Sequence, residues 1–326
     1  MKRIAMLLSL MFFVSFLFAA AGRQGSVDTY PERDIRFIVP FAPGSANDLL
    51  SRKIGEILRS EGLVRRNITT TVMSGGNTAD AINAVMDAAP DGYTFLLHHS
   101  NFITNHLSGN LRPSYEDMTL VAGVAEVYFA ILARANDNRW NNAIDFARDA
   151  KANPEKYIVG YVGYASPGHF SLLQYLALNG ASDTVVQVPY PSSPDATAAQ
   201  LGNHADITIA TLPNAMPYLR SGDLKLLGVC ALERDPMFPD VISLKDMGSD
   251  RDGIKMRYAF FAPKNTPDNV VQKFCDMIRH VANTPAFVEY CDFNNFIWIY
   301  RNSAEIKKAY DDDTVILRDL IRTLSR

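Results

Sequence analysis

Apolar and polar positions follow two rhythms along this chain. Ile35 to Val39 is an apolar run of strand length, and Pro40 to Ser45 breaks it. From Ala46 the apolar residues fall at 46, 49, 50, 54, 57 and 58, which is one face of a helix. Asn47 and Asp48 sit in its first turn, where side-chain oxygens can accept from free backbone N–H groups. The order then repeats. Ile68 to Met73 reads as a strand, Ser74-Gly75-Gly76-Asn77 as a loop and Thr78 to Ala88 as a helix. A turn at Pro90-Asp91-Gly92 feeds a third strand, Tyr93 to Leu97. Strands alternating with helices predict parallel sheets with helices on their faces.

Val121 to Arg134 is almost unbroken apolar sequence and reads as strands crossing into a second unit. That unit repeats the plan, with a helix over Ala143 to Lys151 and strands at Tyr157 to Val162, Val185 to Val188, Asp206 to Ala210 and Leu224 to Val229. Loops opening onto helices follow three of these strands, in "GYASPGHFSLLQYLAL", "PYPSSPDATAAQLGN" and "TLPNAMPYLRSG". Tyr258 to Ala262 reads as a strand returning to the first unit. Helices near Asp268 to Asn283, Thr284 to Cys291 and Ser303 to Leu324 follow it. Two similar halves predict two lobes of one architecture.

Composition narrows the class. With 326 residues, 48% of them hydrophobic and 21% charged, the chain can bury two α/β cores. A net charge of −3 and the lack of any basic block argue against nucleic acid as a partner. Lys2 and Arg3, the apolar run Ile4 to Phe18 and the small residues Ala19, Ala20, Ala21 and Gly22 read as a signal peptide, with residues 1–21 removed on export. The run is short for a membrane span, which leaves an uncleaved anchor as the minor reading. The expected compartment is a bacterial periplasm. Three cysteines, Cys230, Cys275 and Cys291, fit neither a redox pair nor a zinc site. A Cys275–Cys291 disulfide is allowed there; three buried apolar thiols is the preferred reading.

The candidate chemistry lies in the loops. Ligands of open α/β sheets bind beyond the carboxyl ends of the strands. A helix N-terminus there offers unpaired N–H groups and partial positive charge, an anion site that needs no Arg or Lys. The corners Phe41 to Ser45, Ser74 to Asn77 and Gly163 to Gly168 are small, polar and glycine-bearing, so a ligand can approach their backbone. Each one alone is equally readable as an ordinary turn.

These residues also carry a resemblance. "YPERDIRFIVPFAPGSANDLLSRKIGEIL", "MSGGNTADAINAVMDAAPDGYTFLL", "VPYPSSPDATAAQL", "PNAMPYLRSGDLKLLGV" and "FFAPKNTP" are similar, in order, to segments of the substrate-binding proteins of tripartite tricarboxylate transporters, the Bug or TctC-like family. The match runs from about Tyr30 to the C-terminus. The resemblance implies an α/β, two-lobed periplasmic binding fold (type II-like), each lobe a mostly parallel sheet flanked by helices. Lobe 1 would comprise 27–125 and 253–326, and lobe 2 126–252. It implies a monomer without cofactor or metal that captures a small carboxylate and delivers it to a two-subunit membrane permease.

The ligand-binding set follows from the same resemblance. Ala42, Pro43, Gly44, Ser45, Asn47 and Asp48 form the first jaw. Gly163, Ser166 and His169 form the opposing one, and Ser100 and Asn101 meet the ligand's far end. Tyr190 and Thr211, at later strand ends, are weaker candidates. The chain departs from the family at several of these points. Ser45 stands for a second glycine, Asn47 for a Thr, and His98 and His99 for small polar residues. Tyr164 and Ala165 stand for a small residue and a Gly. The substrate's identity is therefore not carried over.

Two other functions compete. A sensor subunit presenting its solute to a receptor kinase needs the same hinge closure. A secreted hydrolase could be written from Ser166, His169 and Asp48, but no G-x-S-x-G elbow is present, and the spacing by itself orients no nucleophile–base pair. The expected hinge crosses near Val124 to Tyr128 and near Asp250 to Tyr258.

Overall fold

The computed structural model describes residues 30–324. The expected signal segment lies outside them. The chain opens with β1 (Ile35–Val39), α1 (Ala46–Ser60), β2 (Ile68–Val72), α2 (Ala79–Met86), β3 (Thr94–His98) and α3 (Asn101–Leu107). A long strand, β4 (Thr119–Arg134), leads to α4 (Ala143–Ala152), β5 (Ile158–Val162), α5 (Pro167–Leu178), β6 (Val186–Tyr190) and α6 (Ser193–Leu201). Then come β7 (Ile207–Thr211), α7 (Leu212–Ser221), β8 (Leu224–Val229) and β9 (Lys255–Ala262). The chain closes with α8 (Asp268–Ala282), α9 (Pro285–Asn294), β10 (Ile297–Arg301) and α10 (Ser303–Leu324).

Each half has a parallel core of three strands, β2-β1-β3 in one and β6-β5-β7 in the other. Antiparallel strands join them. β9 lies between β3 and β4, and β4 also pairs with β7, β8 and β10. β4 is the common element. Its first part pairs with β9 as far as Tyr128↔Lys255, and its second pairs with β7 from Phe129↔Thr211 onward. The lobe boundary expected at 125/126 falls inside this strand. All but the two end residues of β4 are buried, since both of its faces are covered along its length; such a strand reads as a continuous apolar run.

The helices cover the sheets through their apolar faces. Leu50, Ile54, Ile57 and Leu58 of α1 pack with Phe274 and Ile278 of α8 around Phe37 and Phe95. In the second half, Trp140, Phe146, Tyr157 and Tyr175 surround Val159 and Ile207. A third cluster joins the halves: Ala165 and Phe170 pack in one group with Phe102, Phe261, Ile306 and Tyr310.

A buried ionic group sits where β4 and β9 run together. Arg257 reaches Glu126 at 2.6 Å and Asp313 at 2.8 and 3.2 Å, and Arg301 adds a bond to Glu126 at 3.0 Å. Burial pushes the Glu126 carboxyl up, but Arg257, Arg301 and Lys255 outweigh it and hold the group below its usual range. Asp313 goes the other way: burial raises it further than Arg257 lowers it.

All three cysteines are free and buried. Cys275 donates to the carbonyl of Val121 at 2.8 Å, and burial raises the Cys230 and Cys275 thiols to about 11 and that of Cys291 to about 12.

Candidate functional site

A cleft of about 550 Å³ opens between the two halves. One wall comes from the segments after β1, β2 and β3, and the other from the segments after β5, β6 and β7. Those are the carboxyl ends of the parallel strands, where the fold leaves helix N-termini exposed. Among the described residues, no Asp, Glu, Lys or Arg lines it.

The second-half wall is built of three helix starts. Ser166, Pro167 and Gly168 begin α5, Ser193 begins α6, and Thr211 with Asn214 begins α7. Proline near the front of each helix fits a position whose N–H has no intrahelical acceptor. Ser166 caps α5. Its hydroxyl accepts from the His169 amide at 3.2 Å and donates to the Val162 carbonyl at 2.5 Å. The amides of Tyr164, Ser166 and Gly168 take no acceptor among the described residues. Gly163 turns the chain at φ +71, a conformation open to glycine, and its amide donates to Tyr190 O at 3.0 Å. A Cβ on Gly168 would stand 3.1 Å from the Phe129 ring.

His169 shapes this wall from behind. It is 2% exposed, its Nδ1 accepts from the Ala165 amide at 3.1 Å, and its Nε2 meets Gln187 Oε1 at 3.1 Å. Its ring stacks on Tyr161 at 4.3 Å. Burial holds the imidazole below its usual range, so the ring is neutral and both nitrogens are committed to the protein. The acceptor for Ala165 N–H fixes a left-handed residue, φ +53, where a Cβ is strained.

The first-half wall is made of side-chain amides and two stacked rings. Asn77, Asn101, Asn105 and Asn110 line it, together with His99 and Phe41. Phe41 stacks on His99 at 4.7 Å and 6° between planes, and the Tyr258 ring meets His99 edge-on at 5.3 Å. His99 Nδ1 accepts from the Asn101 amide at 3.2 Å. His98, on the other face of the strand, is fully buried against Phe102 and burial lowers it to about 3. Desolvation, reinforced by His98, also holds His99 well below its usual range.

The expected binding residues separate into three groups. Asn101, Gly163, Ser166 and Thr211 line the cleft. Ser100, Asn47, Asp48, His169 and Tyr190 are outside its lining and hold the structure that does line it. Ser100 Oγ accepts from the Arg257 amide at 3.0 Å, and Asn47 donates to Leu97 O at 3.0 Å. Asp48 accepts from the Gly44 amide at 2.9 Å and from Arg52 at 2.8 Å. Ala42, Pro43 and Gly44 lie on an exposed loop outside the lining, and Ser45 caps α1 by accepting from Asp48 N at 3.3 Å. Ser166, His169 and Asp48 are thus not assembled as a nucleophile, base and orienting acid.

Sequence reasoning passed over Asn77, Asn105, Asn110, Ser193 and Asn214 as liners. A signal existed for two of them, since Asn77 ends a flagged loop and Asn105 stands one helical turn beyond Asn101. Among the described residues no group of three or more His, Cys, Asp or Glu is placed to hold a metal ion, and no helix is long and apolar enough to cross a membrane.

The model of the tripartite tricarboxylate transporter family receptor matches residues 60–325. A UPF0065 protein of Bordetella pertussis is 32% identical over 286 residues, covering 86% of this chain and 85% of its own. A solved TctC solute-binding protein from Polaromonas superposes with a TM-score of 0.78 at 24% identity, over 90% of this chain and 100% of its own. MatC of Rhodopseudomonas palustris, solved with bound malate, gives 0.73 at 24% over 90% and 100%. A second R. palustris protein, solved with adipate, gives 0.75 at 20% over 90% and 98%. At these identities the superpositions establish the fold.

Proposed function

Since the chain belongs to the tripartite tricarboxylate transporter receptor family, we propose that it captures a small carboxylate in the periplasm and hands it to a two-subunit permease. One observation carries the reading: an uncharged cleft is faced by the N-termini of α5, α6 and α7. Convergent helix ends stabilise an anion without a cationic side chain. The malate and adipate bound by the R. palustris relatives support the ligand class.

The acid group meets the free amides near Gly168 and the mouth of α7 at Thr211. The lobes, 27–125 with 253–326 against 126–252, close by a twist of β4 near Tyr128. Closure brings the loop of Ala42, Pro43, Gly44, Ser45, Asn47 and Asp48 towards the ligand from the first lobe. Ser100, His169 and Tyr190 hold the two walls in shape. The molecule acts as a monomer and uses no cofactor. Residues 1–21 direct export.

Calorimetric titration of the mature protein with a carboxylate panel tests capture. Thr211→Asp puts a residue suited to an N-cap, but carrying a negative charge, at the mouth of α7. It should weaken binding at least ~100-fold, by like-charge repulsion at close range inside the cleft. Thr211→Asn, the uncharged control, should stay within about fivefold of wild type, since Asn caps as well as Asp. Equal affinity in the Asp and Asn variants would refute the anion site.

A further inference from the structure

We propose that the solute is a hydroxylated monocarboxylate: one acid group facing the helix ends, and a neutral chain of hydroxyls facing the asparagine wall. The inference rests on the carboxylate reading above and adds the chemistry of the ligand's other end. The free polar atoms of the first wall decide it. Asn101 Oδ1 accepts from the Thr104 hydroxyl at 3.0 Å, which leaves its NH₂ as a donor. Asn105 is the reverse. Its NH₂ donates to the Asn77 carbonyl at 3.5 Å, and its Oδ1 has no partner among the described residues although the residue is only 6% exposed. His99 accepts through Nδ1, so its neutral ring keeps Nε2–H as a donor. The side chains of Asn77 and Asn110 have no partner among the described residues and supply both kinds of group.

This wall interleaves donors with acceptors and holds no formal positive charge. A carboxylate only accepts. Set against Asn105 Oδ1 it would place acceptor against acceptor, and its charge would have no counter-charge. A hydroxyl donates and accepts, so a polyhydroxy chain matches Asn105 Oδ1 and the Asn101 amide together. The cleft, at about 550 Å³, has room for a chain longer than four carbons.

Three six-carbon acids separate the possibilities: gluconate, adipate and hexanoate, titrated calorimetrically into the mature protein alongside malate. Gluconate should bind at least ~10-fold more tightly than adipate or hexanoate, the scale expected when a buried polar group goes unmatched. Asn105→Leu should weaken gluconate at least fivefold more than it weakens hexanoate. Asn110→Ala, at an exposed position of the same wall, supplies the same comparison should the Leu variant fail to fold. Adipate, hexanoate or malate binding as tightly as gluconate would overturn the hydroxyl preference and leave carboxylate capture standing. Binding by none of the four acids would overturn both.

Discussion

Arg257→Met is the most informative single change to the framework. The arginine is 8% exposed and holds two carboxylates that are themselves 3% and 4% exposed, Glu126 on the neighbouring strand and Asp313 on α10. Methionine fills much of the volume but supplies no charge. Glu126 keeps Arg301 at 3.0 Å, whereas Asp313 loses both bonds its carboxylate receives from Arg257. Removing one partner of a buried ion pair strands the other charge and costs about 3–5 kcal/mol. For a chain of this size that is a fall in Tm of roughly 10 °C, at about 2–4 °C per kcal/mol. The pH dependence has a definite sign. Burial already raises the Asp313 carboxyl, and without Arg257 it rises further. A native carboxyl that titrates above its unfolded counterpart keeps a proton the unfolded chain has released. The deficit between variant and wild type must therefore shrink as pH falls through the native value towards about 4. Urea melts of both proteins at pH 7.5 and pH 5 read this difference directly. Adding Asp313→Asn to the variant should recover at least ~1 kcal/mol, by removing the stranded charge. A loss below about 1 kcal/mol for Arg257→Met, or a double variant less stable than the single one, would refute the account.

Wild-type stability should itself fall on acidification. His98 titrates at about 3 in the native state and near 6.5 unfolded, so the unfolded chain takes up the proton first. Its contribution is complete above the unfolded value and drains away down to the native one, about 2 kcal/mol of it by pH 5, with His99 and His169 acting in the same direction; urea melts between pH 7 and 5 that showed no loss would contradict three neutral buried rings. Ala165→Gly relieves about 1–2 kcal/mol of left-handed strain at φ +53 but gives up a buried methyl and adds the freedom of unfolded glycine, so Tm should change little, whereas a substantial fall would contradict the strain. His169→Phe keeps the stacking on Tyr161 but strips the acceptor from Ala165 N–H and the partner from Gln187. It should cost about 1–3 kcal/mol and weaken ligand binding by loosening the loop, and unchanged affinity would place the loop's order elsewhere. Thiol titration should find none reactive in the native chain and three per molecule in guanidinium; one per molecule in guanidinium would mean that two of the cysteines are bridged and would contradict three free thiols.

The strand and helix rhythm was legible where the sequence follows a single period. β1, α1 and α8 show it, and their apolar faces are the ones the structure buries. It failed where burial is achieved by charge pairing. β9 begins at Lys255, not Tyr258, because Lys255 and Arg257 look like loop residues until Glu126, Asp252 and Asp313 are placed opposite them. α3 was hidden by its seven-residue length and the lack of a capping side chain. β10 was hidden because its partner, β4, lies far away in sequence. In the site, the glycine and proline corners announced the loops. The asparagine wall did not announce itself, since an amide on a short helix looks like any solvated turn until the opposite lobe faces it. The departures at Ser45 and Ala165 now have physical counterparts: a hydroxyl that caps α1, and a strained residue held by a neutral imidazole.

β4 serves two sheets with one backbone, and this limits how the molecule can be taken apart. No cut between the halves leaves both intact, because either fragment would forfeit a strand that its neighbours use as a hydrogen-bonding edge. Grafting the second half of a relative onto this chain therefore requires a splice within a single strand, in register, at Tyr128 and Phe129. A graft made at a surface loop would separate β4 from one of the ladders it completes.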